Sequence, residues 1–127
     1  MQEKHLFEYA VIRIVPKVER EEFLNVGVIL FCAEKNFLKV LYKLDKARLL
    51  AFSNTLDIEE LTKYFCALDR ICIGGKDGKS IGKLPTASRF RWLTATRSTV
   101  IQTSKVHPGL CSDPLETLIR LQQQLVL

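Results

Sequence analysis

Two segments near the start of the chain have the composition of β-strands. Residues 8–15 (EYAVIRIV) and 22–32 (EFLNVGVILFC) are rich in β-branched and other apolar side chains, which is typical of strands. A short charged connection headed by Pro16 joins them. The pattern therefore predicts an antiparallel hairpin.

This hairpin would have one apolar face and one face with a polar notch. The register that we predict places Val15 opposite Phe23, Arg13 opposite Asn25, and Val11 opposite Gly27. The apolar face then carries Ala10, Ile12, Ile14, Leu24, Val26, Val28 and Leu30. Such a face has to be covered, and we expect helices to cover it. The other face carries Val11, Arg13, Val15, Phe23, Asn25, Gly27 and Ile29.

Helix signals follow the hairpin. Residues 45–52 have the pattern of a short helix. Asp57 and Glu60 form a capping box ahead of apolar residues that repeat at three- and four-residue spacing, and Gly74 is positioned to end that helix. Asp113 is the predicted cap of the last helix, with proline directly after it.

The remaining segments complete a mixed fold. Residues 37–43 and 99–104 are predicted strands, and residues 76–83 are a predicted loop. The fold class that follows is α+β, with a mostly antiparallel sheet of about four strands and helices packed on one face. Residues 1–127 are predicted to form a single domain.

Composition limits the class of protein. Hydrophobic residues make up 47% and charged residues 26% of the chain, which is typical of a globular core. No apolar run has the length of a membrane helix, and the charged start lacks the apolar region of a signal peptide. We expect a cytoplasmic protein that does not bind membranes. Its four cysteines form no CxxC pair, so we predict neither a metal site nor a cofactor.

Charge is unevenly distributed along the chain. The net charge is +5, and no acidic residue occurs between Gly78 and Ser112. The cations of this segment are Lys79, Lys83, Arg89, Arg91, Arg97 and Lys105. Cations among hydroxyl side chains suit an anionic ligand. Residues 88–93 interleave arginines with aromatic residues, so nucleic-acid binding through this segment is an alternative.

An anion site is predicted at the polar notch of the hairpin. The sheet could gather cations and hydroxyls there, and the candidate ligand-binding residues are Arg13, Asn25, Arg89, Arg97, Ser98 and His107. Arg20 and Glu22 would lie at the mouth of this site. The alternative is internal pairing, for example of Arg13 with Glu22 or with a backbone carbonyl.

Catalytic patterns in the sequence are weak. The glycine-rich segment 74–80 lacks the spacing of a phosphate-binding loop, and it follows a predicted helix instead of a strand. His107, Cys111 and Asp113 could form a nucleophile, base and orienting group. A small enzyme acting on a phosphorylated or acidic substrate would need an acid or base beside Arg13, and Glu22 and His107 are the candidates.

Several blocks of the chain resemble one bacterial family. YAVIRIVP, EFLNVGVILF, SRFRWLTATRSTVIQTS and VHPGLCSDP together resemble bacterial domain-of-unknown-function family 3037, from about Tyr9 to Val126. The resemblance implies no catalytic or binding residues. It implies an accessory role beside a kinase-like protein partner of the HipA type. A non-enzymatic binding or accessory module is therefore the function predicted first.

Overall fold

The sheet is built around the predicted hairpin. A computed structural model describes residues 3–95 and 99–127. The strands in these ranges are β1 (His5–Ile14), β2 (Leu24–Cys32), β3 (Phe37–Tyr42), β4 (Ile101–Thr103) and β5 (His107–Cys111). The helices in the same ranges are α1 (Lys46–Phe52), α2 (Ile58–Ile73), α3 (Lys79–Gly82), α4 (Thr86–Leu93) and α5 (Pro114–Leu125).

All strand pairs are antiparallel. The strand order begins β3-β2-β1, and the free edge of β1 is then shared by two short strands. Residues His5–Tyr9 of β1 pair with β5, and Ile12–Ile14 pair with β4. The predicted α+β class with a mostly antiparallel sheet is confirmed.

A β-bulge changes the register of the hairpin. Arg13 lies opposite Asn25 as predicted, but Ile12 lies opposite Gly27. Val26 is therefore an extra residue on β2, and a bulge of this kind is a local insertion into one strand. Beyond the bulge the predicted register is wrong by one residue.

The bulge also changes the faces of β2. Val11 lies opposite Val28 and not opposite Gly27. Because side chains alternate along a strand, an inserted residue exchanges the two faces. Val28 and Leu30 consequently leave the Ile12 face, where the sequence pattern had placed them, and join the opposite face.

Helices cover both faces of the sheet. The predicted cover over Ile12 and Val26 is present and consists of α1, α2 and α4. The core between these helices and the sheet contains, besides Ile12 and Val26, the buried residues Ala10, Ile14, Ile29, Phe31, Val40, Leu49, Leu61, Phe65, Leu68, Cys72, Phe90, Leu93 and Ile101. In addition, α5 covers the opposite face, over a core of Phe7, Val28, Leu30, Cys32, Cys111, Leu118, Leu121 and Val126.

The predicted helix caps are present. The side chain of Asp57 accepts a hydrogen bond from the backbone N–H of Glu60 at 3.1 Å, and that of Asp113 accepts from Leu115 at 3.0 Å. Asp45 caps α1 in the same way. These bonds satisfy backbone donors that the first turn of a helix leaves unpaired.

Three segments differ from the prediction. Residues 76–83 contain a 3-10 turn, Lys76–Gly78, and the short helix α3 instead of an open loop. Residues 88–93, which interleave arginines with aromatic residues, belong to helix α4, because Phe90 and Leu93 then bury their side chains together. Residues 107–111, for which no strand was predicted, form β5 at an edge of the sheet. Proline is tolerated there because an edge strand needs no donor on its outer side.

No helix within the described ranges 3–95 and 99–127 is long and apolar enough to cross a membrane.

Candidate functional site

Arg13 lies on β1 and is half-buried against an aromatic ring. Its Nε atom is buried and has no hydrogen-bond partner among the described residues. The guanidinium carbon lies 3.9 Å from the ring centre of Phe23, and 46% of the surface of Phe23 is exposed. Burial lowers the pKa of Arg13, because desolvation disfavours a charged group.

Arg13 has no carboxylate partner. In the described part of the chain no carboxylate oxygen forms a salt bridge with it, and residues 1–2 and 96–98 contain no acidic side chain. Glu22, the internal partner considered from the sequence, pairs instead with Arg20. The desolvation cost of Arg13 is therefore only partly offset within the chain.

Asn25 lies beside Arg13 and connects β2 to α5. Its Nδ2 donates to the carbonyl oxygen of Leu125 at 3.2 Å, whereas its Oδ1 is buried without a partner in the described residues. We call the site formed by Arg13, Phe23, Asn25 and the Leu125 carbonyl the Arg13 notch. The notch lies on the α5 side of the sheet.

Gly27 is not part of this site. A side chain carbon placed on Gly27 would lie 2.7 Å from the carbonyl oxygen of Leu41. The close approach that the glycine permits is therefore that of the β3 backbone. This finding removes the strand glycine as an argument for ligand binding.

Two glutamines near the notch were not predicted as site residues. Gln122 lies one turn before Leu125 on α5, is only 6% exposed, and has a buried Oε1 without a partner in the described ranges. Gln102 is the β4 partner of Arg13, and its Nε2 donates to the Thr99 carbonyl at 2.9 Å. The available signal was a glutamine within the otherwise apolar inner stripe of α5.

The family assignment follows from the sequence of this fold. Residues 9–126 match the family described as "Protein of unknown function (DUF3037)". The chain belongs to this family. Comparison with curated proteins and with solved structures gave no match. The resemblance inferred from the sequence blocks is thus confirmed over nearly the whole chain.

Arg89 of this DUF3037 protein does not join the notch. It lies on α4, in the helical layer on the other face of the sheet. Its guanidinium binds backbone carbonyls at the C-terminal end of α2. Its Nη1 donates to the carbonyls of Ile71 and Cys72, both at 2.8 Å. Its Nε donates to Leu84 at 3.0 Å, and its Nη2 donates to Thr86 at 3.1 Å. Arg89 is therefore occupied by the backbone, and the predicted convergence with Arg13 is wrong for this residue.

Arg97 and Ser98 were predicted to complete the anion site. Both lie outside the described residues, so their predicted role stays a prediction.

His107 lies on the correct face but far along the strand. It is exposed on β5, and its ring centre lies 5.3 Å from that of Tyr9. Tyr9 precedes Arg13 by four residues, which corresponds to about 13 Å along a strand. The DUF3037 structure therefore separates His107 from the Arg13 notch.

The proposed trio of His107, Cys111 and Asp113 does not form a catalytic group. His107 and Cys111 are at opposite ends of β5, about 13 Å apart in an extended strand. Cys111 is buried, which raises the pKa of its thiol, and Asp113 caps α5. No cluster of three or more histidine, cysteine or acidic side chains suited to a metal occurs in residues 3–95 and 99–127.

Arg20 and Glu22 lie at a cleft beside the end of α1. Their side chains form an exposed salt bridge, and the Arg20 hydrogen bond lowers the pKa of Glu22. Both line a cleft of about 460 Å³ together with residues 50–55 at the end of α1. Arg13 does not line this cleft, and the position of the two residues at the mouth of the Arg13 notch stays a prediction.

In the folded protein, two arginines of the acid-free segment between Gly78 and Ser112 are occupied by other parts of the chain. Arg91 forms a two-bonded contact with the Glu8 carboxylate, at 2.6 and 2.8 Å, and this contact raises the pKa of Arg91. Arg89 is bound to backbone carbonyls. The described cations of the segment that stay exposed without an ion pair are Lys79, Lys83 and Lys105.

Proposed function

We propose that this DUF3037 protein is a non-enzymatic binding module of the bacterial cytoplasm, and that the Arg13 notch holds an anionic group. One observation carries the proposal: among the described residues, the half-buried guanidinium of Arg13 has neither a hydrogen-bond partner for its buried Nε nor a carboxylate partner. A carboxylate or phosphate would supply the missing acceptor and the missing negative charge. The proposal therefore covers both kinds of anion, carboxylates and phosphates.

The ring of Phe23 would orient the arginine. A guanidinium stacked on an aromatic face keeps its N–H groups directed outward in the plane of the fork. A carboxylate or phosphate can then accept two parallel hydrogen bonds. This arrangement favours a planar, two-bonded contact over diffuse attraction.

The neighbouring amide adds a requirement on the ligand. The Oδ1 of Asn25, which has no partner in the described part of the chain, is an acceptor, and a buried acceptor needs a donor. The ligand that fits best is therefore an anion with an adjoining N–H or O–H, such as a phosphate ester with a free hydroxyl or a carboxylate beside an amide.

A binding role is better supported than catalysis. An enzyme would need an acid or base near Arg13. Glu22 is paired with Arg20, and His107 lies about 13 Å along the sheet.

Nucleic-acid binding has less support than a small anion. Arg89 and Arg91 lie in the acid-free segment, but both are occupied by other parts of the protein. An accessory role beside a kinase-like partner of the HipA type is compatible with an anion-binding module, and it stays part of this proposal.

The test is a titration with inorganic phosphate and with acetate in 150 mM salt, followed by ¹H–¹⁵N NMR. We expect saturable shifts at Arg13 and at the Asn25 side-chain amide. Arg13→Gln should abolish them, and Arg13→Lys should weaken them because lysine lacks the two-bonded geometry. Arg91→Gln removes the same charge from an exposed pair and is the matched control.

Two results would contradict the proposal. One is equal binding by wild type and Arg13→Gln that fades with salt, since this indicates diffuse charge only. The other is saturable binding whose shifts map away from Arg13 and Asn25.

A further inference from the structure

The outer edge of β3 is a free edge of the sheet. In the strand order of the described residues, β3 lies at the end and pairs with β2 alone. Its sequence, FLKVLY, contains one charged residue, Lys39, and no proline, and its register with β2 has no bulge. Natural strand edges are protected by charges, prolines or bulges, because unpaired backbone groups can otherwise pair with another chain. The edge of β3 has little of this protection.

The backbone groups of three residues are directed outward from this edge. The N–H of Lys43 donates to the carbonyl oxygen of Val26 at 2.8 Å, so it is directed toward β2. Because this direction alternates along an antiparallel strand, the N–H and C=O groups of Leu38, Val40 and Tyr42 point away from β2. No backbone group of these three residues is bonded outside the β2 pairing within residues 3–95 and 99–127.

Open space lies along the first half of this edge. It is a cleft of about 330 Å³, lined by residues 36–39, by Asp69, Cys72 and Ile73 of α2, and by Thr86 and Arg89 of α4. Ile73 is 75% exposed, the largest exposed fraction of any large apolar side chain in the described residues. A strand added to β3 would occupy the cleft and remove Ile73 from water, which is favourable for an apolar side chain.

The edge is complementary to itself. If Val40 lies opposite Val40 of a second, antiparallel copy, Leu38 lies opposite Tyr42 in both directions. Every outward residue then faces another outward residue, and three such pairs with two bonds each give about six backbone hydrogen bonds. In the same register Lys39 lies opposite the apolar Leu41. A shift by one residue in each copy would instead place the two Lys39 side chains opposite each other, which is unfavourable.

We propose that two copies of the chain associate through the outer edges of β3, so that their sheets join into one antiparallel sheet about a two-fold axis at Val40. Two-fold interfaces are self-complementary in this way, and main-chain hydrogen bonds supply the affinity in strand addition. Residues 42–44 of the second copy would pass along the cleft and cover Ile73. The inference is independent of the anion proposal, because the edge of β3 and the Arg13 notch share no residue.

The experiment uses the full chain from micromolar to millimolar concentration. Analytical ultracentrifugation and light scattering should show an equilibrium between monomer and dimer. Hydrogen exchange of the Leu38, Val40 and Tyr42 amides should slow as the concentration rises. The amides of Lys39 and Leu41 are directed toward β2, so their exchange should be slow at every concentration.

The register is tested by NMR on a mixture of isotope-labelled and unlabelled chains. Isotope-filtered NOEs report only contacts between two copies. We expect them to join Leu38 of one copy to Tyr42 of the other.

Two substitutions of exposed apolar residues locate the interface. Ile73→Lys places a cation where the second strand would lie and should raise the dissociation constant of the dimer by about tenfold or more, because burying an unpaired ammonium is costly. Leu110→Lys is the matched control, because Leu110 is 67% exposed on β5, at the opposite edge of the sheet. It should change the constant by less than about twofold. Circular dichroism of both variants should match wild type, since both side chains are exposed. Arg13→Gln should dimerise like wild type.

Three results would overturn the proposal. The first is a monomer at every concentration. The second is a dimer in which exchange of the Leu38, Val40 and Tyr42 amides does not depend on concentration, because the copies would then meet at another surface. The third is an equal effect of Ile73→Lys and Leu110→Lys on the dissociation constant.

Discussion

The environments of Arg89 and Arg13 differ although the side chains are identical. Arg89 lies at the junction of α2 and α4, where four acceptors surround it: three backbone carbonyls and the hydroxyl of Thr86. Arg13 lies on the opposite side of the sheet with a buried Nε that has no acceptor in the described residues. Both were candidates for binding an anion on the basis of charge alone.

The difference shows that surplus charge is a property of the fold and not of a sequence segment. Arg89 comes from the acid-free segment, yet its hydrogen bonds stabilise the end of a helix. Arg13 comes from an apolar strand, yet its buried Nε has no acceptor among the described residues. The number of acceptors around each guanidinium therefore separates a structural arginine from a candidate ligand-binding arginine.

The strongest test of this contrast is Arg89→Ala. Removing the guanidinium leaves the carbonyls of Ile71 and Cys72 without their donor, so we expect a loss of about 3 kcal/mol in the free energy of unfolding. Urea denaturation measures it. Arg89→Lys should lose most of the same stability, because an ammonium group cannot place its N–H donors in the planar arrangement of a guanidinium. A loss below about 1 kcal/mol, the scale of an exposed pair such as Arg91 with Glu8, would remove the distinction.

Gly74→Ala tests the same junction from the backbone. Gly74 has a φ of 85°, and an added side chain carbon would lie 2.6 Å from Nη1 of Arg89. We expect a loss of about 2 kcal/mol from backbone strain and from displacement of the guanidinium. Gly75→Ala is the matched control, because its φ is 87° but no atom lies within 4 Å of the added carbon. Equal losses in the two variants would show that Arg89 is not displaced.

An alkaline titration tests how fully Cys72 is buried at the junction of α2 and α4. Burial raises the pKa of Cys72 from 9.0 to about 12. The unfolded thiol ionises above pH 9 while the folded thiol stays protonated, so this contribution to stability is complete below pH 9 and is lost as the pH rises toward 12. From pH 8 to pH 10 the loss should be about 1 kcal/mol. Urea denaturation of wild type and Cys72→Ala at pH 8 and pH 10 isolates the contribution of this thiol to the free energy of unfolding. An equal loss in the two proteins between these pH values would contradict the prediction.

The smallest change in stability is expected for Arg13→Met. Among residues 3–95 and 99–127 the guanidinium has no ion pair, and its buried Nε has no partner, so an apolar side chain of similar length should keep the free energy of unfolding within about 0.5 kcal/mol or raise it. The same variant should lose anion binding. A loss as large as that of Arg89→Ala would mean that Arg13 is structural too.

The sequence predicts those parts of the fold that depend on local signals. The first hairpin follows from β-branched residues on both sides of a short charged connection, and α2 and α5 follow from Asp57 and Asp113 at their caps. These signals act within one turn or one pair of strands, so no distant residue is needed to decide them.

The missed parts depend on distant contacts. The bulge at Val26 leaves no composition signal, and one inserted residue was sufficient to exchange the faces of β2. Residues 107–111 contain proline and glycine, and they become a strand only because β1 offers its free edge. Helix α4 likewise forms where Phe90 and Leu93 reach the sheet.

The candidate site was predicted in part. The pairing of Arg13 with Asn25 follows from hairpin register near the turn, before the bulge intervenes. The contribution of α5 could not be predicted, because the contact of Leu125 with Asn25 joins residues a hundred positions apart. The role of Arg89 was also out of reach, since its acceptors lie on another helix.

The pairing of β1 with both β4 and β5 has a consequence for folding during synthesis. The central strand emerges from the ribosome early, but its second neighbours begin at Ile101 and His107. At about 5–20 residues per second, the exposed edge of β1 would wait for several seconds or longer. Closing so long a chain segment slows folding, and an unpaired strand edge can meanwhile pair with other chains. The nascent protein is therefore most vulnerable to aggregation before β4 and β5 have been made.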